Sequence, residues 1–130
     1  MLFYLPLMKY ILTITMLFSF FISRSQTKIE LSEVASHIGD SVKLEGKIFG
    51  IRSFENGSES FILVNLGAAY PNQLLTLKVY PFSKSEGTTL PGKDNVGDTA
   101  VVTGKVELYK GKPQIVVHDP GQLLIVQEKK

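Results

Sequence analysis

The segment 99–127 restricts the possible folds of this chain more than any other stretch. Apolar and polar residues alternate from position 100 to position 108, so neighbouring side chains lie on opposite faces of a strand. The chain then turns through residues 109–113 and returns as residues 114–118. This turn contains one glycine and one proline, which predicts a hairpin with a longer loop rather than a tight two-residue connection. We interpret the upstream residues as the rest of a small β-barrel that this hairpin closes.

Glycines predict two bends in the strands. Gly104 lies on the apolar face of the first hairpin strand, where a missing side chain often marks a bulge or a sharp bend. Residues 41–54 alternate clearly until Phe49, Gly50 and Ile51 break the phase. A long strand that bends at its glycines can contribute to two sheets at once, which is how small barrels turn corners.

The remaining patterns predict one domain, residues 27–127. Residues 30–40 predict a short helix closed by Gly39, because Leu31, Val34, Ala35 and Ile38 share one apolar face. Further strands are predicted at residues 60–67 and 74–80. Residues 81–97 form a long connection with a turn of helix near residues 82–86. Residues 122–127 form a terminal strand, or a helical turn and then a strand, and residues 128–130 are a frayed tail.

Residues 1–25 have the pattern of a secretory signal peptide. Lys9 precedes an almost wholly apolar run at residues 10–22, and small residues follow at Ser23 and Ser25. We expect cleavage after Ser25, and Met8 is an alternative start. The sequence therefore predicts an exported protein of the periplasm or the extracellular space.

An uncleaved membrane anchor is the alternative interpretation of the same segment. Residues 2–22 approach the roughly 20 apolar residues that span a bilayer. Lys9 lies near the middle of that span, where a charge is costly, so cleavage is favoured and no stable membrane association is expected afterwards.

Composition limits the chemistry of the chain. It has no cysteine, which removes disulfides, thiolate metal sites and a lipid attached to cysteine. Two of its 14 basic residues, Lys9 and Arg24, lie in the first 25 positions, which contain none of its 12 acidic residues. The rest of the chain therefore has a formal net charge of zero. Overall charge gives no indication of nucleic-acid binding, which normally accompanies a cationic excess.

Four sequence stretches resemble strands one, two, four and five of a known domain family. They are VKLEGKIFG at residues 42–50, SFILVNLG at 60–67, VTGKVEL at 102–108 and YKGKPQIVVHD at 109–119. These stretches are similar to oligonucleotide/oligosaccharide-binding (OB) domains of the nucleic-acid-binding type, which occur in anticodon-binding modules of aminoacyl-tRNA synthetases and beside helicase cores. The resemblance implies an all-β, five-stranded Greek-key barrel with a short N-terminal helix. Residues 67–73 replace the polar turn that is usual between strands two and three.

The resemblance also implies where a ligand lies. In such barrels it crosses strands two and three, between the loop after strand one and the loop between strands four and five. Aromatic rings for stacking and cations for phosphate are what single-strand binding needs. The predicted ligand-binding residues are Arg52, Phe54, Tyr70, Asn72, Lys78, Tyr80, Tyr109, Lys110 and Lys112.

Within this set we expect Tyr80, Tyr109, Lys110 and Lys112 to form one edge of the groove. The alternative is structural: the tyrosines cap the barrel ends, and the lysines keep the hairpin soluble. Asn56, in the loop expected after strand one, is a further candidate.

A catalytic or metal site is not indicated. His118 and Asp119 could pair, but adjacent strand residues point to opposite faces, and Asp119 before Pro120 more simply initiates a turn. His37 is interpreted as a helix-end residue. No cysteine and no second nearby histidine complete a triad or a metal site, and no cofactor motif is present.

The sequence thus predicts a binding module rather than an enzyme. Single-stranded nucleic acid is the first ligand class to test. The alternative is a protein- or glycan-binding, or structural, periplasmic module on the same barrel, and an enzyme ranks third.

Overall fold

Seven β-strands make up most of the chain that the structure describes. The computed structural model describes residues 26–81 and 90–129, so the predicted signal peptide and the helical turn predicted near residues 82–86 lie outside the described residues. None of the helices within these two ranges is long and apolar enough to span a bilayer. The strands are β1 Thr27–Lys28, β2 Ser41–Asn56, β3 Glu59–Leu66, β4 Leu75–Val79, β5 Thr99–Tyr109, β6 Lys112–Val117 and β7 Leu123–Val126.

The long strand β2 serves two neighbours. Residues 41–47 pair with β5, whereas residues 48–56 pair with β3. The register shifts between Ile48 and Gly50, which leaves Phe49 as the extra residue of a bulge. This confirms the bend that the broken alternation predicts at this point.

The strand pairings run through five strands and return to the first. β2 pairs with β3, β3 with β4, β4 with β6 in parallel, β6 with β5, and β5 with β2 again. β1 lies parallel beside β2, and β7 lies antiparallel beside β5. The result is an OB-like β fold with few helical residues, as the sequence predicts.

The core consists of apolar side chains from the inward face of each strand. Alternate residues of a strand share a face, and buried positions alternate with more exposed ones along the first half of β2, in β4 and in most of β5. Its largest fully buried members include Leu44 and Ile48 from β2, Val64 and Leu66 from β3, Leu75, Leu77 and Val79 from β4, Val102 and Val106 from β5, and Ile115 and Val117 from β6.

The predicted helix at residues 30–40 is a 3-10 helix, Leu31–Ser36. With three residues per turn, positions 31, 34 and 37 share a face instead of the predicted α-helical set. Val34 is buried and packs with Leu31 against the core, whereas Ala35 and Ile38 are exposed. The prediction was wrong in helix type, and half of its apolar face is therefore solvated.

The β5–β6 hairpin has a two-residue turn, so the predicted longer loop was wrong. Tyr109 pairs directly with Lys112, and the turn residues Lys110 and Gly111 have φ angles of 50° and 78°. Two consecutive positive φ angles are the geometry of a type I′ turn, whose twist matches that of the flanking strands. Pro113 is part of β6 rather than of the turn.

Gly104 does not mark the predicted bulge. β5 stays in register with β2 there, and Gly104 pairs with Val42. A Cβ at Gly104 would lie 2.7 Å from Cγ2 of Ile115 and 3.2 Å from Nε2 of Gln122. The glycine therefore permits close packing of β6 and the terminal segment against β5.

The C-terminal segment follows the second of the two predicted alternatives. A 3-10 turn, Pro120–Gln122, precedes β7. The long connection also contains a short 3-10 helix, Lys93–Asn95, just before β5.

Candidate functional site

A groove of about 630 Å³ crosses the outward faces of β2, β3, β4 and β6. The inward residues of these strands form the core, so the alternate residues face the groove. The segment 67–74 and the β5–β6 hairpin also contribute to its lining. The lining residues are Arg52, Phe54, Phe61, Leu63, Asn65, Tyr70, Gln73, Thr76, Lys78, Tyr109, Lys110, Lys112, Pro113 and Gln114.

Strand register arranges the sheet residues of the groove in three rows. Residues paired across neighbouring strands lie side by side on the same face. We name these rows by their chemistry. The polar row is Asn65, Thr76 and Gln114, the cationic row is Arg52, Leu63 and Lys78, and the aromatic row is Phe54, Phe61 and Tyr80.

The aromatic row is a continuous set of ring contacts. The rings of Phe54 and Phe61 stack with centroids 5.2 Å apart, and Tyr80 meets Phe61 edge-on at 6.5 Å. The Tyr80 ring also stacks on His118 at 5.1 Å with only 2° between the planes. His118 thus continues the row, a role that the sequence did not indicate because the contact depends on how β4 and β6 are paired.

Two cations of the cationic row lie over these rings. The Arg52 guanidinium is 4.8 Å from the Phe54 ring centroid, and Lys78 Nζ is 4.5 Å from that of Phe61 and 5.2 Å from that of Tyr80. Cation–π attraction positions both charges close to the sheet. The ring faces of this row are therefore already in contact with other groups of the protein.

The hairpin and the segment 67–74 meet at the other end of the groove. Lys112 Nζ donates a hydrogen bond to the Pro71 carbonyl oxygen and lies 6.0 Å from the Tyr70 ring centroid. Lys110 Nζ lies 5.4 Å from the ring centroid of Tyr109. Tyr70 is 76% exposed and Tyr109 56% exposed, so these two rings have open surface to offer a ligand.

The charge of the groove has one sign. Its lining contains four cationic side chains, Arg52, Lys78, Lys110 and Lys112, and no carboxylate. Glu107 pairs with Gln114 and so lies at the margin of the polar row, outside the lining. A concave surface with charges of one sign concentrates ligands of the opposite sign.

Seven of the nine predicted ligand-binding residues lie in the groove lining. Asn72 and Tyr80 lie outside it, Asn72 exposed in the segment 67–74 and Tyr80 just beyond the aromatic end of the lining. Tyr80 follows the end of β4, whereas Gln114, just after the hairpin, pairs with Thr76 at the start of β4. The structure therefore places Tyr80 at the opposite end of the groove from Tyr109, Lys110 and Lys112, with which we grouped it.

The loop expected after strand one is shorter than predicted. β2 continues to Asn56 and turns tightly through residues 57–58, so Arg52 and Phe54 project from a strand. Several residues of the groove lining, which lie between the predicted ones, were not predicted from the sequence. Alternation in β3 was the signal for Phe61, Leu63 and Asn65. Thr76 and Gln114 depend on cross-strand register and Gln73 on the path of the segment 67–74, neither of which the sequence shows.

Comparison with known proteins gives structural matches only. No family model and no curated protein matches the chain. A chain in the crystal structure of yeast Stn1 and Ten1 has a TM-score of 0.54 and 14% identity, over 80% of this chain and 64% of that chain.

Two further structures are similar at lower scores. One, provisionally described as an aspartyl-tRNA synthetase of Leishmania major Friedlin, has a TM-score of 0.46 and 11% identity, over 85% of this chain and 22% of that chain. The other, provisionally described as a nucleic acid-binding lipoprotein of Klebsiella pneumoniae subsp. pneumoniae, has a TM-score of 0.42 and 17% identity, over 75% and 78%.

The similarity to the yeast structure supports the fold of this chain, and at 14% identity it shows the fold alone. Together with the cycle of strand pairings, it defines an OB-like β protein. The chain spans about 64% of the length of the yeast chain that it matches.

Proposed function

We propose that the groove binds single-stranded nucleic acid and that the five paired strands close as an OB barrel. The observation that carries the proposal is the charge of the lining: four cationic side chains and no carboxylate. Lysine and arginine neutralise phosphates and release their counterions, which supplies most of the sequence-independent affinity.

The aromatic residues favour single strands over duplexes. Stacking of an unpaired base on an aromatic ring contributes roughly 1–3 kcal/mol. Tyr70 and Tyr109 expose their rings beside Lys112 and Lys110. A strand lying in the groove could therefore stack bases on these rings while its phosphates contact the lysines.

The test is a titration of a fluorescein-labelled ten-nucleotide oligo-dT with the full-length chain. Binding is measured by fluorescence anisotropy, and the titration is repeated at a series of salt concentrations. Three or four phosphate contacts predict a slope of log K against log salt of about −2 to −3. The double substitution Lys78→Ala/Lys110→Ala should reduce the steepness of that slope by about 1.4.

A matched control uses two lysines of the β2–β5 pairing. Lys43 and Lys105 are exposed and lie outside the groove lining, so Lys43→Ala/Lys105→Ala should leave binding unchanged. Failure to bind at about 50 mM salt, where phosphate contacts are strong, would contradict the proposal. Binding of a protein or glycan with little salt dependence, lost on replacing Tyr70 and Tyr109, would establish the alternative.

We also propose that the chain is exported and acts by binding rather than by catalysis. The support for export is the cationic, apolar and small-residue order of residues 1–25. No residue of the groove is assigned a catalytic role, because its lining offers cations, aromatic rings and neutral amides.

A further inference from the structure

One oxygen in the groove lining lacks a hydrogen-bond donor. Gln73 donates from Nε2 to Oγ1 of Thr76 at 3.2 Å, so one half of its amide is used. Its Oε1 is buried and has no partner within residues 26–81 and 90–129. A buried polar atom without a partner is costly and uncommon in folded proteins. Gln73 itself lines the groove and is only half-buried, so a turn of its side chain would bring Oε1 within reach of a donor on a ligand.

The neighbours of Gln73 are neutral and polar. Thr76, its hydrogen-bond partner, pairs with Gln114 on one side and Asn65 on the other. Gln114 is 8% exposed, so the side chain is largely enclosed at the base of the groove. These four side chains form a patch that differs from the cationic row beside it, and we call it the amide floor.

A phosphate group cannot supply the donor that the amide floor lacks. Phosphate oxygens accept hydrogen bonds and cannot donate to Gln73 Oε1, and no cation belongs to this patch. Base edges carry both donors and acceptors, and amide side chains recognise them through paired hydrogen bonds. The amide floor is therefore suited to a base, while the cations beside it are suited to the backbone.

Resting on the proposed function, we propose that the amide floor selects an unpaired base that carries an exocyclic amine. An exocyclic group projects from the rim of the base and reaches a recessed atom first. In cytosine that group at position 4 is an amine, which donates to Gln73 Oε1 once the amide pivots toward the groove on its hydrogen bond to Thr76 Oγ1. In uracil it is a carbonyl oxygen, which would set one acceptor against another at that position and leave only the more recessed N3–H as a donor.

The test compares the binding of ten-nucleotide oligo-dC and oligo-dU. These two ligands differ in the base edge but not in the backbone, and both are measured at about pH 8. The full-length protein should bind oligo-dC about tenfold more tightly than oligo-dU. This is the effect expected when one ligand forms a hydrogen bond that the other ligand does not. Gln73→Met keeps the length of the side chain and removes its polar atoms. It should bring the two affinities to within about twofold.

Two further variants separate this inference from the proposed function. Thr76→Val removes the group that orients the Gln73 amide, and should reduce the preference for oligo-dC while leaving the affinity for oligo-dU unchanged. Lys78→Ala/Lys110→Ala should lower the affinities for oligo-dC and oligo-dU by the same factor, so that the ratio of the two affinities is preserved. Gln73→Met removes both the unpaired buried oxygen and the hydrogen bond to Thr76, so it should unfold at a temperature close to that of the original protein.

Equal binding of oligo-dC and oligo-dU, with the expected salt dependence, would overturn base selection and leave the proposed function intact. The same conclusion follows if Gln73→Met retains the preference. Oligo-rU binding as tightly as oligo-dC would assign the donor to a 2′-hydroxyl and overturn selection of an amine. If none of the oligonucleotides binds, both proposals fail.

Discussion

At the scale of single residues, Gln122 joins three parts of the chain through one side chain. Its Oε1 accepts hydrogen bonds from the backbone N–H groups of His118 and Asp119, at 2.9 and 3.0 Å. Its Nε2 donates to the carbonyl oxygens of Thr103 and Val116, at 3.1 and 3.3 Å. The amide thus connects β5, β6 and the turn before β7, in the space left open by Gly104.

Replacing this amide should destabilise the fold. Gln122→Leu keeps the bulk of the side chain but leaves two part-buried carbonyl oxygens without their donor. We expect the free energy of unfolding to fall by about 2 kcal/mol, measured by urea denaturation. Gln127→Leu, at an exposed position beyond β7, is the matched control and should change stability by less than about 0.5 kcal/mol. Equal stability of the two variants would show that Gln122 is not needed to join these strands.

At the scale of elements, the turn of the β5–β6 hairpin determines where three groove residues lie. Tyr109, Lys110 and Lys112 all belong to the turn or flank it. Gly111 adopts a φ of 78°, which side chains with a Cβ rarely adopt. Gly111→Ala should therefore lower the free energy of unfolding by about 1 kcal/mol and weaken oligonucleotide binding.

Lys110→Asn provides the opposite change in the same turn. Lys110 has a positive φ of 50°, and asparagine tolerates this conformation better than lysine. Urea denaturation should show Lys110→Asn to be as stable as the original protein or slightly more stable. A Gly111→Ala variant with unaltered stability would be incompatible with a type I′ turn.

How well the elements follow from the sequence depends on the range of the interactions that form them. Alternation correctly predicted β2 and its bend near Phe49. It also predicted the buried face of β5, except that Leu108 near the hairpin is exposed. The hairpin was mispredicted because Tyr109, Lys112 and Pro113 were counted as turn residues, although they belong to β5 and β6. The amide floor could not be predicted, since Asn65, Thr76 and Gln114 become neighbours only through pairing between strands.

At the scale of the whole molecule, composition conceals the segregation of charge. Acidic and basic residues are equal in number after position 25, so the formal net charge is zero there. The groove lining nevertheless contains four cations and no acid. Strand register assembles this patch from β2, β4 and the β5–β6 hairpin, which is why a sum over the sequence gave no indication of it.

Export would place this groove outside the cytoplasm. The mass of the mature chain tests whether the protein is exported and its leader cleaved. β1 begins at Thr27 and pairs with β2, so cleavage after Ser25 would leave every strand of the described fold intact. Protein recovered from the exported fraction of a bacterial host should therefore begin at Gln26 by intact mass. Ser25→Arg places a large cation where a small residue is required, and should cause the leader to be retained. A mature chain that keeps residues 1–25 in both proteins would instead support the membrane-anchor interpretation, because an anchor acts only while its apolar segment stays attached.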